Sequence, residues 1–351
     1  MREFHDIAWY VKALSKELPN DIRKPAPQRL LGGLAYIIVI VACIVAMYKF
    51  DMNLVEKLIF SLVLGFSFAS MGLLGHEILH GTVVRTPWLR NLLGGIAFGP
   101  LSVSSRLWIK WHNTTHHAHT QDEEKDPDAW ISLEQLVKSP KIVRWVYRLP
   151  LGFRAFVSFL SLSFTFSMHT MRMFFMYINE FKSKKLVVWL EMLIPWAVWF
   201  GLLFYVGFNN WIFMYLIPLL IGNFIVMAYI STNHRLNPLV PINDPLANSL
   251  SVTVPKFIDV LNFNFSYHVE HHMFPGINPK HYPLIKAKIL EHWPERYLHM
   301  SLMKALVTLW KTPRIYYKET EFLDPRKNTA YDSLGNGLDI NNIKFKKLKS
   351  I

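Results

Sequence analysis

The sequence predicts an all-α integral membrane protein with four transmembrane helices, interfacial helices and a cytosolic histidine-rich cap. Three observations predict it. Apolar residues, 52% of the chain, are gathered into long uncharged runs. Basic residues give a net charge of +13, and they crowd some connecting segments while avoiding others. Eight of the fifteen histidines fall in three tight clusters close to the apolar runs.

Residues 30–48, 58–75 and 192–233 contain no charged side chain. A helix needs roughly 20 apolar residues to cross a bilayer. The first two runs supply one crossing each. The third is long enough for most of two, divided at Gly207-Phe208-Asn209-Asn210, where a tight turn fits. Crossings are therefore expected at about 30–50, 54–75, 186–208 and 211–230.

Charge sets the orientation. Lys12, Lys16, Arg23, Lys24 and Arg29 precede the first crossing, and many more basic residues lie in 81–185 and after 234. The Asn209-Asn210 turn has none. The positive-inside rule then puts the N-terminus, the middle segment, the C-terminal third and all three histidine clusters in the cytoplasm. This use of the charge argues against a nucleic-acid partner, because no basic stripe with interleaved aromatics lies outside the membrane-flanking segments. The single cysteine, Cys43, falls inside the first crossing, which excludes an intrachain disulfide or a thiolate metal site. A Walker loop and a GxGxxG fingerprint are absent. The first apolar run begins too late and runs too long for a cleavable signal peptide.

Residues 1–29 are expected to form an N-terminal cytosolic or interfacial segment, with Ile7, Val11, Leu14 and Leu18 at helical spacing. Residues 30–316 are expected to form one membrane domain. Within it, 88–106 and 149–168 are apolar but short, which suits re-entrant or interfacial segments. Residues 279–316 suggest amphipathic helices with Lys286, Lys288 and Lys304 on polar faces. Residues 317–351 lose periodicity and are expected to be a flexible basic tail.

The chemistry lies in the histidines. His76-Glu77-Ile78-Leu79-His80 ends the second crossing, His112-Asn113-Thr114-Thr115-His116-His117 follows it, and His268-Val269-Glu270-His271-His272 lies after the fourth. Neutral imidazole is a good ligand for iron, zinc, copper and nickel. Residues three or four apart on a helix share a face, so His76 is expected beside His80 and His112 beside His116. His234, at the end of the fourth crossing, lies at the same level. Nine converging imidazoles exceed the capacity of one metal, so two are expected. His5, His169, His281, His292 and His299 lie outside the clusters and need no special role; His119 is near the second cluster but off its pattern.

These boxes resemble the membrane fatty acid desaturase superfamily over roughly residues 30–290. The most specific stretch is Asn264-Phe265-Ser266-Tyr267-His268-Val269-Glu270-His271-His272-Met273-Phe274-Pro275, which looks like the third histidine box of acyl-lipid desaturases. The resemblance implies a di-iron centre, O2 as co-substrate and removal of two hydrogens from an acyl chain. It implies as iron ligands His76, His80, His112, His116, His117, His234, His268, His271 and His272, with Asn264 near a metal-bound water. The second box departs from most desaturases, with three residues between its first histidine and the pair instead of two. Alkane hydroxylases of the superfamily share that longer spacing, and carotenoid ketolases are another branch, so a hydroxylase or ketolase is the alternative. The third box and its Phe-Pro tail favour desaturation.

Other residues follow from this reading. Trp108 and Trp111 precede the second box and either line a substrate channel or anchor the chain at the interface. Glu77, Glu270, Asp126 and Asp128 are candidates to hydrogen-bond the imidazoles from outside, with a solvated loop the alternative for the two aspartates. Electrons are expected from a small acidic carrier such as ferredoxin, flavodoxin or cytochrome b5. The carrier is expected to dock on a basic face that includes Arg106, Lys110, Lys256, Lys280, Lys286 and Lys288, unless those charges serve anionic lipid headgroups. The acyl substrate is expected on a phospholipid, CoA or acyl-carrier protein. Two other readings fit parts of the pattern. His76-Glu77-Ile78-Leu79-His80 also matches the HExxH of zinc proteases, with Glu77 as base, but that leaves two clusters unexplained. A metal transporter would place its ligands near the bilayer midplane, where this chain offers only Glu191.

Overall fold

The computed structural model describes residues 3–348. Helix α1 (Ile7–Leu14) is capped by Asp6, whose side chain accepts the Trp9 N–H at 2.8 Å. Tyr10, Leu14, Leu18 and Ile22 are buried in one cluster with Val269, Met273 and Ile285. The N-terminal segment therefore packs apolar residues against the third histidine box.

Helices α2 (Arg29–Lys49) and α3 (Leu54–Leu79) form the first hairpin. Asn53 accepts the Glu56 N–H while the Glu56 carboxylate accepts the Asn53 N–H, a capping box that fixes where α3 begins. Helix α4 (Pro87–Phe98) follows, continuing through a turn to Leu101. With the segment Ser105–His119 it forms a pair bent by 98° at the break, where Ser102 adopts φ 56°. A bend of that size fits a re-entrant loop, as expected for 88–106, and equally a broken span.

Helix α5 (Leu151–Tyr177) differs from expectation: the short apolar run at 149–168 lies inside a continuous helix of 27 residues. Arg154 does not interrupt it, because its guanidinium is buried and donates to the carbonyls of Tyr147 at 3.1 Å and Pro313 at 3.2 Å. The chain breaks at Lys182, with φ 44°, before α6 (Lys185–Val206). Gly207, with φ 79°, makes the expected turn into the stretch that ends as α7 (Ile217–His234). Four stretches are long and apolar enough to cross a membrane: Arg29–Lys49, Leu54–Leu79, Leu151–Val206 and Phe208–His234.

Close backbone approach packs these helices. At Gly65 of α3 a Cβ would stand 2.5 Å from Ile221 of α7, and at Gly94 one would stand 2.4 Å from Leu79. Small residues at such crossings are the usual device where hydrophobicity cannot drive association. Asn223 of α7 accepts from the Ser167 N–H and hydroxyl of α5 at 3.1 Å, tying these two helices by hydrogen bonds. Glu191 in α6 pairs with Arg106, so this acid has a cation.

Beyond α7 lie α8 (His268–Met273), α9 (Tyr282–His292) and α10 (Leu302–Lys311), with a short parallel pair of strands, β1 (Ser251–Thr253) and β2 (His299–Ser301). The expected flexible tail is folded instead. Strands β3 (Tyr316–Lys318), β4 (Glu321–Asp324), β5 (Thr329–Asp332) and β6 (Lys346–Lys347) form an antiparallel sheet in that order. Phe322 and Tyr316 are buried with Leu239, and the Tyr316 hydroxyl donates to Asn237 O at 2.7 Å. Residues 322–324 are buried on both faces of their strand, so no alternation marks it in the sequence. Residues 349–351 of that tail lie outside the described residues.

Candidate metal centre

Four segments deliver the histidines to one place. Helix α3 brings His76 and His80 at its C-terminal end, α7 ends on His234, and α8 carries His268, His271 and His272. The segment Ile109–His116 carries the second box as a π-helix that runs into His117. The rings sort into two groups. His76, His80, His112, His117 and His271 bring ligand nitrogens within 4.8 Å of one another, and so do His116, His234 and His272. His268 joins the second group, with its Nε2 2.7 Å from that of His234.

The π-helix decides the sorting: His112 and His116 stay together as expected, with ligand atoms within 4.8 Å of each other and of Asp128, and His117 is added to His112. In an α-helix His112 and His116 would share a face. A π-helix bonds residue i to i+5, and here the His117 N–H bonds back to His112 O. His112 and His117 therefore share a face as well, with Nε2 atoms 3.2 Å apart, and His116 lies between His112 and the group of His234 and His272. The extra residue of the second box is absorbed by the wider turn.

Anchors outside the groups aim the rings. His116 Nδ1 donates to Asp126 at 2.9 Å, His234 Nδ1 donates to Asn248 O at 2.9 Å, His271 Nδ1 pairs with the Tyr282 hydroxyl at 3.1 Å, and His272 Nδ1 pairs with Thr120 Oγ1 at 3.2 Å. Such contacts fix tautomer and ring orientation and turn Nε2 toward a metal. Of these four anchors the sequence singled out Asp126 alone. Asn248, Tyr282 and Thr120 carry no local signal, since each is defined only by what it meets. Burial, and then the neighbouring imidazoles, push His112, His117, His268, His271 and His272 well below the ordinary histidine value, which keeps them neutral and able to donate. Burial acts the same way on His116, but Asp126 and Asp128 outweigh it and raise it to about 9.

Three expected contacts are different. Glu77 touches no imidazole: it accepts from Arg29 at 3.0 Å and from Asn278 at 2.5 Å. A carboxylate so engaged is not free to act as a protease base. Glu270 likewise accepts from Ser251 at 2.7 Å and Tyr297 at 2.6 Å, and burial still raises its carboxyl above the usual range. Asn264, at φ 59°, bonds Arg29 at 3.3 Å and Asp259 at 3.4 Å and lines a small cavity beside His76, His268 and His271. Helix periodicity explains the glutamates. Each sits beside a ligand histidine in sequence and thus on another face of its helix.

Asp128 also serves the site. Burial raises it, yet the bond from His169, the charge of His116 and the bond from Trp111 hold it below the usual carboxylate range. His169 donates at 2.7 Å and Trp111 at 2.8 Å. His169 had no expected role, and its signal is tertiary, because α5 brings it to the second box.

Beside the histidines lies a cavity of about 500 Å³. His76, His112, His116, His234 and His268 form part of its wall, with Trp108, Trp111, Phe166, Met227 and Phe265. A second cavity of about 400 Å³, lined by Leu101, Met171, Met192 and Trp196, shares Met168 with it.

The ring chemistry fits metal ions. Nε2 of His112 stands 2.9 Å from that of His76 and 3.2 Å from that of His117, which stands 3.0 Å from that of His271. One proton can satisfy one such pair, while a cation satisfies every lone pair at once. Nε2 of His80 and of His272 are buried without a hydrogen-bond partner among the described residues. Imidazole donors suit iron, copper, nickel and zinc, so the donor set does not by itself choose between them.

Comparison with known proteins agrees. A family model described as fatty acid desaturase matches residues 57–303. The chain is 29% identical over 254 residues to an sn-1 oleoyl-lipid 12-desaturase of Picosynechococcus sp., covering 66% of this chain and 70% of the relative. It is 23% identical over 277 residues to a chloroplastic omega-6 fatty acid desaturase of Spinacia oleracea, covering 74% of this chain and 59% of the relative. The matched residues include all three histidine boxes, and the chain belongs to the fatty acid desaturase family.

Proposed function

We propose that this oxidoreductase introduces a double bond into a lipid-borne acyl chain, using O2 and two irons held by the nine histidines. The observation that carries the reading is the cavity of about 500 Å³ whose wall is part imidazole and part apolar side chain. An unactivated C–H bond resists acid–base catalysis, so bound iron would supply the redox chemistry that activates O2. The protein's own share is placement. Trp108, Phe166, Met227 and Phe265 offer an apolar wall to a methylene chain, and the cavity that shares Met168 extends the room for it. Asp126, Asn248, Tyr282 and Thr120 hold the rings still while the chain is presented. Expression in a host of defined lipid content, with double bonds mapped by mass spectrometry, tests the reading. New alkenes support it. The second-box spacing favours one alternative, hydroxylation, and an alcohol product would establish that instead. Metal analysis separates both from a zinc enzyme: two irons per chain against one zinc.

Sidedness belongs to the same proposal. The charge distribution supports cytoplasmic termini and a cytoplasmic histidine cap. Reporters fused after residues 25, 125, 240 and 320 should read cytoplasmic and one at Asn209 external; opposite readings at 125 and 240 would defeat a common metal site.

Electrons would enter from an acidic carrier, a ferredoxin, flavodoxin or cytochrome b5, docked on the third-box face. Lys286 lies over the rings of Tyr267 and Tyr297, at 5.8 and 5.3 Å, directly outside His268 and Glu270. Lys288 is less available than its sequence position implied, since it pairs with Glu17 at 2.9 Å and Glu291 at 2.8 Å. Reversing Lys280 and Lys286 to Glu should slow reduction by the carrier and leave iron content unchanged. Turnover should also fall with salt, because exposed charges are screened over about 10 Å at 0.1 M. Reduction indifferent to both changes would move the docking site elsewhere.

A further inference from the structure

Arg235 follows the ligand His234 and is 8% exposed. Its guanidinium stacks on the Trp130 ring, 3.9 Å from the centroid, and it has no hydrogen bond or ion pair among the described residues. Stacking covers a face of the guanidinium and leaves the N–H donors at its rim unspent. A buried cation is costly, and Asp128 across the cavity wall offsets that cost only in part, without an ion pair, so retaining the cation calls for a closer partner. Arg235 lines the cavity that the histidines line. Asp128 is the carboxylate on that wall, and it is already engaged by Trp111 and His169.

A second cation shares the cavity. Arg172, on α5, lies on the wall and likewise has no hydrogen bond or ion pair among the described residues. One turn before it, Met168 also lines the cavity and is exposed, so the cavity reaches the surface along this side of α5. Phe164, Met171 and Phe175 on the same helix are exposed apolar residues, which makes that surface one that faces lipid. An opening there admits a lipid from the side, with its polar end beside Arg172.

We infer that the cavity takes its substrate with an anionic group, phosphate or carboxylate, held by Arg235 and Arg172. The inference rests on the desaturase reading for the identity of the acyl chain. Both anions match the planar fork of a guanidinium, which bonds them through two parallel N–H donors, and a cavity lined by apolar rings strengthens that pairing. Lysine would supply the charge without the fork. The two arginines thus select which lipid class presents its chain to the histidines.

The test is a binding measurement on the purified full chain in detergent. Lipids with brominated acyl chains quench tryptophan, and Trp108, Trp111 and Trp130 line the cavity. Brominated phosphatidylglycerol, a brominated uncharged galactolipid and a brominated fatty acid anion are titrated separately. At least one anion should bind about tenfold more tightly than the galactolipid, the size expected of one hydrogen bond to a charged group. Phosphatidylglycerol ahead of the fatty acid assigns a phosphate ester; the reverse order assigns a carboxylate. Arg235→Gln and Arg172→Gln should each remove most of the preference, and Arg235→Lys should remove less. Because Arg172 is exposed, Arg172→Gln decides the matter even if Arg235→Gln does not fold. Equal binding of anionic and uncharged lipids, or a preference that survives in the folded Gln variants, overturns the inference. Selective, arginine-dependent binding without any alkene product would leave the anion site standing and remove the desaturase reading instead.

Discussion

His112 and His117 are five residues apart in the chain, and their Nε2 atoms stand 3.2 Å apart. An α-helix would not bring them together, since five residues carry a side chain well past one turn. The π-helix Ile109–His116 does. It lets a second box with one additional residue present its first and last histidines to one metal group and its middle one to the other.

A π-turn is an α-turn plus one residue, which predicts an unusual tolerance. Thr114 is exposed and bonds back to Ile109 O at 3.0 Å, a contact of the π geometry itself. Deleting Thr114 should return the segment to α-helix, with the histidines now three and four apart and their faces preserved. Iron content should stay within about twofold of the parent, as expected if only a π-bulge is removed. Complete loss of iron on deletion would show that the flanking helix does not keep its phase.

Ligand substitutions should follow the two groups. His80→Ala, His117→Ala and His272→Ala should each abolish product and lower bound iron while the protein still inserts. His292→Ala and His299→Ala should stay active. His292 pairs with Glu17 on the surface at 2.7 Å, an exposed contact that solvent screens. Product at the parent level in any of the first three would remove that residue from the ligand set.

Asp126 acts through His116 and should be felt in metal affinity. Replacing it by Ala removes the acceptor that fixes the His116 Nδ1–H, and losses of about 10–100-fold in affinity are typical of such partners. Competition of the purified variant against a chelator measures this. Iron retained as tightly as in the parent would show that Asp126 does not orient the ring.

Arg29 and Glu77 form a pair in which the acid is buried and the cation partly so, with side-chain exposures of 2% and 15%. Arg29→Ala should cost about 3–5 kcal/mol, because the carboxylate is left without its cation. Adding Glu77→Gln should recover part of that loss. Unfolding in detergent reads both, and additive losses would mean that the two side chains do not stabilise each other.

The sequence by itself determined the membrane class, the four apolar stretches and the identity of the nine histidines. These are local properties: a run without charge is apolar wherever it lies, and a box is a spacing. The four expected crossings overlap the four stretches long enough to span, though the third begins at Leu151 and not near 186, and the nine expected ligands meet around the two groups. Only the tertiary structure decided which histidines share a group, because that depends on the phase of a helix whose hydrogen bonds run to i+5. Only it showed that Glu77 and Glu270 bond elsewhere, that Asn248, Tyr282 and Thr120 anchor the rings, and that 316–347 forms a sheet. The ring anchors and the glutamate contacts join separate segments, and a side chain's partner across such a distance is set by packing, which no local pattern encodes; the sheet is built from neighbouring hairpins, but its two central strands are buried on both faces and show no alternation.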